Sequence, residues 1–273
     1  MAWLGVDSRG PTSVYFASDS RISWTNDRKN WDTARKLFAT QTTAEIFGFT
    51  GYALLPQVVL ARVCDFIDRG FRVLAGSDSP ENRALWLRDI VESQTKAHPR
   101  KYLEKDFSIL YAVRHGSGMP GRAKFHLYRI YWSVSTQSIS LNEIEVPAAS
   151  GVLLLDGTGA KSMNEHEFAW RITDQGNTSR TLFSAFCDSL KSGIDEFSGG
   201  EPQLVGLYRT GNAQVFGVVT DAGSSIEGCL NLPVPLDANI EWRDSLFQRV
   251  TREGKLLKKA QPHSRPAKLY APV

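Results

Sequence analysis

The sequence predicts an α+β fold, a four-layer α-β-β-α sandwich of antiparallel sheets, on three observations. Strand-like segments come in groups, helix-like segments come in pairs, and this order occurs twice along the chain. Grouped strands followed by grouped helices argue for stacked antiparallel sheets rather than β-α-β units. Bulk composition is consistent with a folded domain of this kind. A chain of 273 residues, 42% hydrophobic and 22% charged, has ordinary globular content and can hold one or two domains.

The elements follow in order. "AWLGVDS" and "SVYFASDS" flank the Gly-Pro turn "RGPT" and predict a hairpin. "RKLFAT" and "EIFGFTG" predict a second strand pair around the polar "QTTA". The run "ALLPQVVLARVCDFIDRGFRVL" places Leu55, Val58, Val59, Arg62, Val63 and Phe66 near helical spacing, so a helix is expected over 53–75. A second helix is expected over 80–97, with Ser79 or Asp78 as cap and Pro80 near the first turn. "DFSILYAVRH" and "AKFHLYRIYWSV" predict two strands joined by "GSGMPGR". The second half repeats the order: "GVLLLDGTG" as a buried strand ending in a glycine turn, then helices in "KSMNEHEFAWRIT" and "TSRTLFSAFCDSLKSGIDEF". "PQLVGLYRTGNAQVFGVVTDAG" predicts a closing hairpin. Residues 1–237 are expected to form the domain. Residues 238–273 shift to basic, Pro-containing composition, with eight Lys or Arg between Arg243 and Lys268, and are expected as a solvated or subunit-contacting extension.

Several functions are disfavoured at this level. A net charge of +3 is too small to argue for nucleic acid, and aromatic residues are not interleaved through the basic tail. Cys64, Cys187 and Cys229 are far apart and form neither a zinc motif nor a disulfide framework. No secretory signal opens the chain, and no apolar run approaches the ~20 residues of a membrane span. A soluble, cytoplasmic protein without metal or cofactor is expected.

Three local motifs have ordinary explanations. "GSGMPG" at 116–121 fits G-x-G-x-x-G, but Pro120 and the alternating strand after it point to a hairpin loop rather than a dinucleotide site. "NEHEF" at 164–168 lacks the i, i+4 histidines of a helical zinc site and is expected as a solvated helix start. The segment Val152–Gly159 suggests an aspartic-protease loop or a phosphate-binding turn, yet no second copy supplies the partner carboxylate that an aspartic site needs.

The charges in "YFASDSRISW" and "DTARKLFAT" are harder to dismiss, because Asp19, Arg21 and Lys36 adjoin apolar runs. Five short segments in order resemble the proteasome β-subunit family, which includes the bacterial HslV peptidase and the proteasome-like Anbu proteins. "ASDSR" is similar to the family's A-x-D-S-R, "ARKLF" to the segment of its catalytic lysine, and "GFTG" to the strand and glycine that follow. "DGTG" sits where the family has its Gly-Ser-Gly loop, and "DEFSGG" matches D-x-x-S-G-G. The resemblance spans roughly residues 2 to 220, and "VYFASDSR" with the chain length leans toward the Anbu branch.

The resemblance implies an N-terminal-nucleophile hydrolase fold and a threonine-type peptidase. In this chemistry an N-terminal threonine attacks the peptide carbonyl with its hydroxyl while its own α-amine handles the proton. By resemblance Lys36 is the lysine that lowers the hydroxyl's pKa, and Asp19 is the carboxylate that holds it. Asp195 and Ser198 would orient the α-amine, Thr158 would replace the loop serine, and Gly51 would offer an oxyanion N–H. Arg21, Ile22, Ser23, Ala34, Phe49 and Ala53 are carried over as substrate-binding positions. Assembly into a ring or open ring, a peptide or unfolded protein as substrate, and an ATP-dependent unfoldase as a further partner also follow from the resemblance.

The nucleophile is absent. With one extra residue allowed in the "RGPT" turn, its position falls on Ala2, and an offset of one gives Met1. Neither carries a hydroxyl. A natural pseudoenzyme and a Thr-to-Ala substitution both fit; the joint presence of Asp19, Lys36, Asp195 and Ser198 argues for the substitution. The alternatives to an inactivated peptidase are a non-catalytic ring or scaffold subunit and a small-molecule amidase of the same fold.

Overall fold

The computed structural model describes residues 1–24, 29–118, 121–176, 178–235, 238–267 and 269. Two sheets stack face to face with a helix pair on each outer side. The first sheet contains β1 (Ala2–Asp7), β2 (Gly10–Ser18), β10 (Gly151–Leu154), β11 (Gln203–Tyr208), β12 (Gln214–Thr220), β13 (Gly223–Ile226) and β14 (Cys229–Leu230), in the order β10-β1-β2-β11-β12-β13-β14. The second runs β5 (Leu37–Ala39), β6 (Glu45–Gly51), β7 (Phe107–His115), β8 (Lys124–Ser133) and β9 (Ser138–Ile144). Between β2 and β5, β3 (Ile22–Trp24) and β4 (Lys29–Trp31) form a separate ribbon that the sequence reading missed.

Period-two alternation explains the layers. Ala2, Leu4, Val14 and Phe16 face the space between the sheets, where they meet Leu37, Ile46, Leu127 and Val205. Their neighbours Trp3 and Tyr15 point the other way, against Leu182 and Phe183 of α4 (Ser179–Ser192). On the opposite side Phe47, Ile109, Tyr111 and Ile130 pack under α1 (Leu54–Asp68) and α2 (Pro80–Ala97). With α3 (Ala160–Arg171) beside α4, the expected α-β-β-α sandwich is complete.

Helix ends follow local chemistry. Ser79, rather than Asp78, caps α2 by accepting from the Asn82 N–H at 3.1 Å, with Pro80 in the first turn. The helix expected over 53–75 stops at Asp68, because Gly70 takes a left-handed φ of +70°. Beyond it Arg72 returns to the sheet and pairs with the buried Glu45 carboxylate at 2.8 and 2.7 Å. The second helix of the later pair ends at Ser192, where Gly193 adopts φ +65°, so "DEFSGG" lies in a loop.

Two further expectations are corrected. "NEHEF" is not a solvated helix start: it lies inside α3, with His166 buried and its Nδ1 2.8 Å from the Ser162 carbonyl. The extension is not a solvated tail along its whole length. β15 (Glu241–Asp244) adds to β12 as a parallel strand, β16 (Arg249–Val250) pairs with β15, and Phe247 and Val250 are buried. Its Arg243 is compensated by Glu241, and Arg265 by Asp188, which also accepts from Trp170 Nε1. Within "GSGMPGR", Met119 and Pro120 lie outside the described residues; the flanking β7 and β8 pair as the expected hairpin.

No helix among the described residues is long and apolar enough to cross a membrane.

Candidate active site

The start of β1 and the ends of β2, β6 and β10 converge at one mouth of the inter-sheet space. Ala2 begins β1 opposite Phe16 and Leu154, with its side chain fully enclosed among the inter-sheet residues. Met1 continues the ladder: its α-amine donates to the Ala17 carbonyl, and its own carbonyl accepts from the Ala17 N–H, both at 2.9 Å. The Met1 side chain packs toward the helix face with Phe186 and Met163. Of the two candidate positions, Ala2 is therefore the one whose side chain faces between the sheets. Burial lowers the pKa of the α-amine to about 6; Asp156 and Asp19 oppose the shift, and Lys36 adds to it.

Asp19 and Lys36, from segments just outside β2 and β5, meet here. Lys36 Nζ donates to Asp19 Oδ1 at 2.7 Å, with the two side chains 15% and 14% exposed. Asp19 Oδ2 accepts from the backbone N–H of Arg21 at 3.0 Å and of Gly199 at 3.1 Å. The carboxylate thus has partners on both oxygens, as a partly buried charge requires.

A second cluster forms on the loops after β10 and α4. Asp195 Oδ2 accepts from the hydroxyls of Thr158 and Ser198, each at 2.7 Å, and Asp195 Oδ1 from the Phe197 N–H at 3.2 Å. Gly159 lies directly beneath, where a Cβ would come 2.8 Å from Ser198 Oγ. The side chains of Thr158, Asp195 and Ser198, brought together from two separate loops, are one hydrogen-bonded unit.

The remaining positions separate. Gly51 closes β6 at φ +84°, and a Cβ there would lie 2.3 Å from the Asp106 carbonyl, so the turn admits only glycine. Arg21 is occupied elsewhere: it forks onto Asp32 at 2.7 and 2.9 Å, and Nη1 donates to the Glu196 carbonyl at 2.9 Å. Its guanidinium lies against Gly199, clamping the loop that carries Asp195 and Ser198. Ile22 and Ala53 are half-buried and Ala34 is fully enclosed. Ser23 is half-exposed overall, yet its Oγ is buried with no hydrogen-bond partner among the described residues. Phe49 lines the cleft beside Met1 and also packs in the cluster under α1.

Sequence reading assigned no role to two residues near the pair. Asp156 lines the cleft with Met1 and is held by Arg129 at 3.0 Å. Gln203 lies behind Asp19 and Lys36 and touches both of their backbones. Asp156 stood in the quoted "DGTG"; for Gln203 the one local signal is a polar amide opening an apolar strand.

Among the described residues no cluster of His, Cys, Asp and Glu has the grouping a metal ion needs. What the site offers is an ammonium–carboxylate pair and a carboxylate–hydroxyl cluster beside the start of β1, without a hydroxyl or thiol at position 2.

No protein-family model matches the chain, and no curated protein matches it in sequence. Among solved structures the chain is similar to Anbu (ancestral beta-subunit) from Yersinia bercovieri, at a TM-score of 0.52 and 13% identity. The match covers 76% of this chain and 81% of that one. The likeness establishes a proteasome-like sandwich fold.

Proposed function

We propose that the chain is a threonine-type peptidase subunit of the proteasome-like class, carried here with alanine at the nucleophile position. The observation that supports this most strongly is the 2.7 Å Lys36–Asp19 pair next to the β1 start. A half-buried ammonium held by a doubly compensated carboxylate is costly to maintain for stability alone, and it is the group needed to lower the pKa of an adjacent hydroxyl. In the active form, threonine at position 2 would attack the substrate carbonyl with its hydroxyl. The proton would pass to the α-amine of the same residue and then to the leaving amine; water would next hydrolyse the acyl-enzyme by the reverse proton route. Asp195, Ser198 and Thr158 would orient the amine, and the Gly51 N–H would serve the oxyanion. Phe16, Leu37, Leu110 and Leu154 line the cleft, which favours apolar side chains on the acyl side of the cut. Peptides or unfolded proteins would be the substrates, within a self-assembled particle.

The test is hydrolysis of a fluorogenic peptide panel by Ala2→Thr protein whose N-terminal residue is confirmed by mass spectrometry to be the introduced threonine, with Met1 removed. Cleavage that the unsubstituted protein lacks is expected. Correctly processed, assembled protein that cleaves no peptide would remove the peptidase reading.

The second reading is a non-catalytic ring or scaffold subunit. It is favoured by Ala2 itself, which is fully enclosed and leaves the cleft without a nucleophile at that position. Failure of Ala2→Thr, together with a persistent particle, would select it.

A further inference from the structure

We propose that Gln203 is the positioning residue that sets the Lys36–Asp19 spacing, an inference that rests on the peptidase reading of this site. Asp19 follows the last residue of β2 and Lys36 precedes the first residue of β5, so neither lies within a strand. One direct backbone hydrogen bond joins the two segments there, from the Ala34 N–H to the Ser20 carbonyl at 2.9 Å.

The side-chain amide of Gln203 supplies the rest. Its Oε1 accepts from the backbone N–H of Lys36 at 3.0 Å and of Leu37 at 3.3 Å. Its Nε2 faces the Asp19 carbonyl at 3.1 Å, Ser20 Oγ at 2.9 Å and the Ala34 carbonyl at 2.7 Å. An amide has two N–H hydrogens, so these three acceptors share two protons. Gln203 is 1% exposed and anchored in β11 opposite Ser18 of β2. One planar group therefore clasps both segments from behind and fixes their separation.

The amide is closely covered. Gly228, at φ +83°, closes over the amide: a Cβ there would fall 2.1 Å from Ser20 Oγ and 3.3 Å from Gln203 Nε2. The turn holding Gly228 is latched by Glu227 to Arg35 at 2.6 Å, and Arg35 adjoins Lys36 in the chain. Loss of the amide would leave buried backbone groups without partners, and the segments would respond by moving apart.

The experiment uses the full chain with Gln203→Met, which keeps length and removes all five contacts, and Ser20→Ala, which removes one. Crystal structures of both report the Lys36–Asp19 separation. The same substitutions in processed Ala2→Thr protein report kcat and KM on a fluorogenic peptide. For Gln203→Met the pair should open beyond ~4 Å, the limit of an ion pair. Its kcat should fall ~10²-fold, as for a misplacement of about 1 Å, with KM changed by no more than about twofold. Ser20→Ala should move kcat in the same direction by a smaller factor. A folded Gln203→Met protein with the pair still closed and kcat unchanged overturns the proposal. If Gln203→Met does not fold, the same result in Ser20→Ala overturns it. The distance needs no turnover, so an inactive Ala2→Thr protein would defeat the peptidase reading while the clasp was still decided.

Discussion

The Asp19 carboxylate divides its two oxygens: Oδ1 takes the Lys36 ammonium at 2.7 Å, and Oδ2 takes the backbone N–H groups of Arg21 and Gly199 at 3.0 and 3.1 Å. The carboxylate thereby fixes the ammonium from β5's leading edge and at the same time ties β2 to the loop bearing Ser198. In processed Ala2→Thr protein, Lys36→Ala should lower kcat by ~10²-fold or more, and Asp19→Asn nearly as much by leaving Lys36 without its counter-charge. Steady-state hydrolysis of a fluorogenic peptide measures both. Retention of turnover by Lys36→Ala would show that the ammonium has no part in the chemistry.

A second buried carboxylate acts on stability. Glu45, 1% exposed, accepts from Arg72 through both oxygens, from Arg83 at 3.3 Å and from the Tyr111 hydroxyl at 2.6 Å. Burial, with the Glu45 charge second, holds the Tyr111 phenol well above its ordinary pKa, so it remains a donor. Arg72→Ala should cost ~3 kcal/mol, because the buried charge loses the guanidinium whose Nη1 reaches both of its oxygens. Arg88→Ala, which breaks the exposed pair with Asp89, should cost under about 0.5 kcal/mol. Urea unfolding of the two variants makes the comparison, and equal midpoints would refute a buried-charge role.

These two carboxylates show what the sequence could and could not convey. Asp19 and Lys36 were legible because each sits in a short segment, "ASDSR" or "ARKLF", whose resemblance carries a role. The same holds for Asp195, Ser198 and Thr158, which the structure joins through one oxygen. Gln203 was not legible, since its contacts lie 167 and 184 residues away and its one local signal, a polar amide opening an apolar strand, names no partner. The paired helices and strands were visible in their periodicity. The extension misled because charge dominates "EWRDSLFQRV", while Phe247 and Val250, which anchor it, appear there singly.

The buried terminus predicts a pH dependence in protein that carries a free Met1 amine. The folded amine binds its proton below about pH 6, whereas 8.0 is the ordinary value for the unfolded chain. Between those values the unfolded state binds more protons, so stability rises as pH increases through the window. The rise from this one group is at most ~2–3 kcal/mol. His263, lowered first by burial and next by Arg180, acts in the same direction. Urea unfolding across this range should show the increase, and the amine itself can be followed by NMR of 15N-Met protein. A titration midpoint near the ordinary value of 8.0 would mean that the amine is solvated and the Met1–Ala17 ladder open.

The last prediction concerns assembly. On the monomer, Leu54 and Val58 are 59% and 50% exposed, one helical turn apart on the same face of α1. At the opposite end of α1, the connection that follows exposes Phe71 and Val73 at 61% and 81%. Leaving this much apolar surface in water is unfavourable, and an exposed apolar patch on a folded protein marks a contact. Repeated identical contacts between copies close into rings or extend as open helices. Light scattering at micromolar concentration should therefore give a mass well above the 30.4 kDa of one chain. Leu54→Asp with Val58→Asp should shift the population toward the monomer while the circular dichroism of the fold stays unchanged, because both side chains lie outside the core. A monodisperse monomer in the unsubstituted protein would count against assembly, and with it against the self-assembled particle of the peptidase reading.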